Sequence, residues 1–148
     1  MSNFSLRKVA TVSLSLFVFS CRDSSVENPV ESEAFQYWAY DSTGVPVVTG
    51  WFTMNYPDSS TILGDWHFSP VDYPKNIGPQ TGEGRLQGAH QNGQIFLDLN
   101  PQFRDNNVVL VGALDKHRFS GQWTWLTFVG VTNKGRFEAV TMEWVQMW

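Results

Sequence analysis

From Phe35 onward, apolar and polar residues alternate in short runs, and turn-forming residues interrupt the alternation about every ten positions. The 3.6-residue period of an amphipathic helix is not sustained anywhere in this stretch. A side-chain period of two fits strands that bury one face, so the chain is all-β. The expected strands are Gln36 to Asp41, Pro46 to Asn55, Thr61 to Phe68, Gly82 to Ala89, Gln94 to Leu99, Asn107 to Leu114, His117 to Leu126 and Gly135 to Met142. Eight strands joined in order by short links leave two open edges unless the sheet closes on itself. The expected architecture is therefore an eight-stranded antiparallel up-and-down β-barrel. At 148 residues the chain has length for one such core and not for two.

Two hairpins allow register to be read. Asn92-Gly93 is the strongest two-residue turn signal and pairs Gln91 with Gln94, Gly88 with Leu97 and Leu86 with Leu99. A two-residue turn at Asp115-Lys116 sets Leu114 opposite His117, Gly112 opposite Phe119, Leu110 opposite Gly121 and Val108 opposite Trp123. Glycine then meets a large side chain repeatedly, which a narrow tube needs to fill its interior. With this count of strands, and with Gly50-Trp51, "GDW" at Gly64 to Trp66 and "GQW" at Gly121 to Trp123, the chain from about Phe35 to Met142 resembles the lipocalin-like and avidin-like small barrels. That resemblance implies a barrel that binds a small molecule at one mouth.

The N-terminus carries a different signal. Arg7-Lys8 precede the apolar stretch Val9 to Ser20, and small Ser20 stands before Cys21, the only cysteine. This is the layout of a secretory signal, and the run is shorter than the ~20 residues that a membrane-spanning helix needs. "VFSC", Val18 to Cys21, resembles the lipobox of bacterial lipoproteins. The resemblance implies cleavage before Cys21, lipidation of its sulfur and an extracytoplasmic protein anchored to a membrane of the cell envelope, the outer membrane favoured over the inner. Arg22 to Glu33, rich in Ser, Glu and Pro, is expected to be a flexible tether of roughly 20 Å. The expected division is thus a signal over 1–20, the lipidated cysteine and tether over 21–33, and one barrel domain over 34–148.

In a meander the links alternate between the two ends of the tube. One end receives short links; the other receives Ser42 to Val45, Ser69 to Thr81, Asn100 to Asn106 and Thr127 to Lys134. The looped end is the expected working end, with Tyr73, Phe103, Arg104 and Phe128 on its rim. Trp51, Trp66, Trp123 and Trp125 either pack the core or stack on a ligand within it. His67, alternating with Trp66 and Phe68, is expected to face solvent, whereas His90 and His117 take the inward register at the plain end.

The three histidines lack metal-ligand spacing, so no metal is expected. The glycines of "GPQTGEGRLQG" are followed by no helix that would present amides to a phosphate, and no nucleophile stands with a base. The expectation is a protein without a cofactor or a catalytic constellation. A net charge of −4, more negative once Arg7 and Lys8 leave with the signal, argues against nucleic acid. Two functions remain: binding of an apolar or amphipathic small molecule without chemistry, or a filled scaffold whose loops engage a protein partner in envelope assembly or enzyme inhibition.

Overall fold

The computed structural model describes residues 32–142. The strands are β1 (Ser32–Tyr40), β2 (Pro46–Asn55), β3 (Thr61–Pro70), β4 (Gly82–Gln91), β5 (Gln94–Asp98), β6 (Asn106–Asp115), β7 (Arg118–Thr127) and β8 (Gly130–Thr141). Each pairs antiparallel with the next, and β1 pairs with β8 from Phe35–Thr141 to Tyr40–Arg136, closing the barrel. The expected fold class is therefore the observed one. Cys21, the expected signal and nearly all of the expected tether lie outside the described residues.

The tube is filled. Tyr37 stacks on Phe68 with ring centroids 4.3 Å apart, and Phe35 stacks on Phe52 at 5.1 Å. Phe52 of β2 meets Phe119 of β7 edge-on at 6.3 Å, so aromatic contact crosses the lumen between strands that are not neighbours. Trp66, Trp123, Phe137, Leu86, Leu97 and Leu110 complete the buried core.

So many rings fit because glycines stand opposite them. Gly64 and Gly121, the leading residues of the two Gly-x-Trp motifs, have no room for a side chain: a Cβ would lie 1.8 Å from the Thr53 carbonyl oxygen at the first and 2.0 Å from that of Val111 at the second. Their tryptophans use a shared device. Trp66 pairs with Gly84, passes beneath it, and donates its indole N–H to the Leu99 carbonyl at 2.7 Å. Trp123 pairs with Gly135 and donates to the Tyr40 carbonyl at 2.8 Å. Each indole thus joins the strand that bears it to the chain two positions along the wall, and its buried N–H is satisfied.

Several expected boundaries and pairings need correction. The hairpin between β6 and β7 turns at Lys116-His117, with Lys116 at φ 53°, and Asp115 pairs with Arg118. Leu114 therefore faces Phe119, Gly112 faces Gly121, Leu110 faces Trp123 and Val108 faces Trp125. The offset from the expected register is two residues, which leaves the strand side chains on their expected faces, while His117, expected inward at the start of the strand, stands exposed in the turn. The β4–β5 ladder matches expectation at Gln91–Gln94 and Gly88–Leu97 but ends at Gln87–Asp98, one pair before Leu86–Leu99. There the Asp98 carboxylate accepts from the Asn100 amide at 2.9 Å and from the Asn107 side chain at 2.6 Å, which turns the chain out of the ladder. At the ends, β1 begins at Ser32 rather than Gln36, and β8 begins at Gly130 rather than Gly135. The expected link from Thr127 to Lys134 is instead a projecting hairpin whose turn is Phe128-Val129. Trp51 is not in the core, because Gly50 and Phe52 take the inward positions on either side of it.

Replacing Gly64 with Ala places a methyl against the Thr53 backbone. The expected cost is about 3 kcal/mol, read as a lowered urea midpoint with an unchanged slope.

Candidate functional site

With the interior occupied, the surfaces left to act are the two ends and the outer wall. At the looped end, the link from Val71 to Thr81 lies across the barrel mouth. Gln80 is fully buried; the Tyr37 hydroxyl donates to its Oε1 at 3.4 Å, and its Nε2 donates to the Ile77 carbonyl at 2.7 Å. Gly78 sits so close to the Trp125 indole that a Cβ would be 2.5 Å from its ring, at a φ of +68°. A link and a strand hold this plug in place: Asn100 of the β5–β6 link donates to the Pro79 carbonyl at 3.1 Å and Asn133 of β8 to that of Asn76 at 2.7 Å. Burial pushes the Tyr37 phenol well above its ordinary pKa, so it stays neutral and remains a donor.

The expected rim residues stand outside this plug. Tyr73 is 97% exposed in the β3–β4 link, Phe103 is 66% exposed in the β5–β6 link and Phe128 is 84% exposed at the β7–β8 turn, where Val129 and Val131 extend the apolar surface. Arg104 is exposed beside Phe103. Connectivity brings all these links to one end, as expected. The four tryptophans do not form one site. Trp66 and Trp123 are core, Trp125 is half-buried beneath Gly78 with its N–H on Asn106 Oδ1 at 2.7 Å, and Trp51 is 41% exposed on the outer wall. There Trp51 stacks on His67 at 6.1 Å, and His67 Nδ1 lies 3.4 Å from Glu83 Oε2.

No protein-family model matches the chain, and neither a curated protein nor a solved structure matches it.

The plain end holds a cleft of about 340 Å³ lined by Glu33, Tyr56, His90, Gly93, Ile95 and Leu114. The Tyr56 hydroxyl is 3.5 Å from both Glu33 Oε2 and Met54 Sδ. His90 faces this cleft, and His117 sits in the neighbouring turn. Among the described residues no group of three or more His, Cys, Asp or Glu side chains is placed to hold a metal ion. Sequence reasoning missed both the plug and this cleft. Gln80, between Pro79 and Thr81, carries no pattern that marks it as buried, and Glu33 falls in what reads as tether.

Because the folded state keeps Tyr37 neutral while the unfolded chain ionises above about pH 10, stability falls as pH rises past that value. Between about pH 9 and about pH 11, the native protein is expected to lose more stability than Tyr37→Phe, by up to about 1.4 kcal/mol per pH unit, measured as urea midpoints.

Proposed function

We propose that this protein is a membrane-anchored extracytoplasmic lipoprotein whose barrel is a filled scaffold presenting its looped end to a protein partner. One observation carries the reading: aromatic rings occupy the lumen and Gln80 plugs the mouth, while Tyr73, Phe103 and Phe128 remain exposed on the links outside. Rings so placed suit anchors that bury against another surface, since aromatic side chains offer large contact area at small entropic cost. The scaffold supplies no chemistry in this reading. The start of β1 lies at the plain end, so a tether from Cys21 directs the looped end away from the membrane.

A second reading has its own support. The cleft at the plain end combines the apolar Ile95 and Leu114 with Glu33, Tyr56 and His90, and its volume suits a small amphipathic ligand. In that case binding occurs at the membrane-facing end rather than at the looped mouth.

A photoreactive phenylalanine analogue at position 103 or 128 is expected to give a covalent protein adduct in cells of the source organism. The same analogue at Gln122, on the outer wall of β7, is expected to give none. Phe103→Ala with Phe128→Ala should change stability by less than about 0.5 kcal/mol, because both rings are outside the core. Cys21→Ser is expected to move the protein from the membrane to the soluble fraction on cell fractionation.

A further inference from the structure

The barrel closes, yet one stretch of its wall lacks a neighbour. β4 pairs with β3 along Gly82–Ala89, but its ladder with β5 covers only Gln87–Gln91. Backbone direction alternates along an antiparallel strand. The His90 amide donates to the Ser60 carbonyl, toward β3, so even-numbered residues of β4 face β3 and odd-numbered ones face β5. Beyond Gln87, the amides and carbonyls of Glu83 and Arg85 are thus aimed where β5 no longer runs. Asp98 has turned the chain away there, and Trp66 seals the core beneath with its bond to Leu99 rather than with a strand.

What lies along that edge is a cleft of about 230 Å³, walled on the far side by Pro101, Gln102 and Phe103. Its charges are uneven. Glu83 is engaged by His67, and Arg85 has Asp65 opposite it on the β3 side but beyond 4.0 Å, while the far wall of the cleft, Asn100 to Phe103, brings no carboxylate to the open side of Arg85. The cleft therefore offers an alternating row of backbone donors and acceptors, one cation with no carboxylate facing it across the cleft, and one exposed ring.

We propose that the open edge of β4 from Gly82 to Leu86 receives an extended peptide segment of a partner protein, which adds to the wall as a short strand and places an acidic side chain against Arg85. Main-chain bonds to Glu83 and Arg85 supply the affinity, and Arg85 and Phe103 supply the selectivity. The inference rests on the partner-binding reading and deepens it: Phe103 borders both the cleft and the looped end, so one partner spans both surfaces.

The test uses the full chain carrying Cys21→Ser, with amide hydrogen exchange followed by NMR. In the free protein, the Glu83 and Arg85 amides should exchange at least about tenfold faster than those of Gln87 and Ala89, which bond to β5. The probe is a nine-residue peptide of alternating valine and threonine with a central aspartate, compared with its central-lysine counterpart. The aspartate peptide should slow exchange at Glu83 and Arg85, the lysine peptide should bind about tenfold more weakly, and Arg85→Glu should invert that preference. Protection of Glu83 and Arg85 in the free chain equal to that of Gln87 overturns the proposal. So does the absence of added protection with either peptide at millimolar concentration, which makes Glu83 and Arg85 guards of an edge that accepts nothing. Binding without charge preference overturns the acidic class of partner. The two readings fail separately: losing the cross-links at positions 103 and 128 with peptide protection intact removes the looped-end reading alone, and unprotected amides with the cross-links intact remove this one alone.

Discussion

The tryptophan that passes beneath a glycine of the neighbouring strand to reach a carbonyl two positions along the wall is the contact on which the rest of the barrel depends. It occurs twice, at Trp66–Gly84–Leu99 and at Trp123–Gly135–Tyr40, and the tryptophan-bearing strands β3 and β7 stand four positions apart around an eight-strand wall. Each instance favours an absent side chain: a Cβ at Gly135 would lie 2.6 Å from the Trp123 indole, and one at Gly84 would press on the Trp66 indole at 3.0 Å. It also requires a carbonyl left over where a strand ends. Leu99 follows the last residue of β5, and Tyr40 is the last residue of β1, so each indole closes the wall where a backbone ladder stops. Bulk, satisfaction of a buried donor and closure of the tube are met by one side chain.

Filling the lumen this way removes the property for which small barrels are often used, an empty interior. Rings from β1, β2, β3, β7 and β8 meet across it, and the Val71 to Thr81 link adds Gln80 as a polar stopper bound to Tyr37. What remains variable is the outside. The same Asp98 carboxylate that shapes the β5–β6 link also shortens β5, so the exposed Phe103 and the unaccompanied stretch of β4 arise from one local event.

The architecture was legible because its signals are local. Alternation in the strands and Asn92-Gly93 at one turn act over two to ten residues, and they located all eight strands and the register of one hairpin up to its last expected pair. Of the expected glycine pairings Gly88–Leu97 is observed, whereas Gly112 faces Gly121 and the rings of Trp66 and Trp123 face Gly84 and Gly135 instead. The turn expected at Asp115-Lys116 and found at Lys116-His117 shows where such signals lose resolution: a shift of two residues keeps the strand faces unchanged, so hydrophobic pattern cannot detect it. The N-terminal part of β8 was hidden because "GVTNKG" has the composition of a loop and is held as strand by its partner β7. Trp51 was drawn to the core by its size, although its neighbours Gly50 and Phe52 already held the inward positions. The plug at Gln80 and the Glu33–Tyr56–His90 cleft are tertiary arrangements among residues far apart in the chain, and no local pattern announces them.

The closing strand has a mechanical consequence. β1 starts at the plain end and runs to the looped end, flanked by nine pairs to β2 and six to β8. Its hydrogen bonds lie perpendicular to its length. A pull applied between Ser32 and anything held at the opposite end is directed along β1, so these bonds are loaded together in shear rather than opened one at a time as a zipper would be. The strand nearest the N-terminus is thereby the one best placed to withstand tension without unravelling the wall.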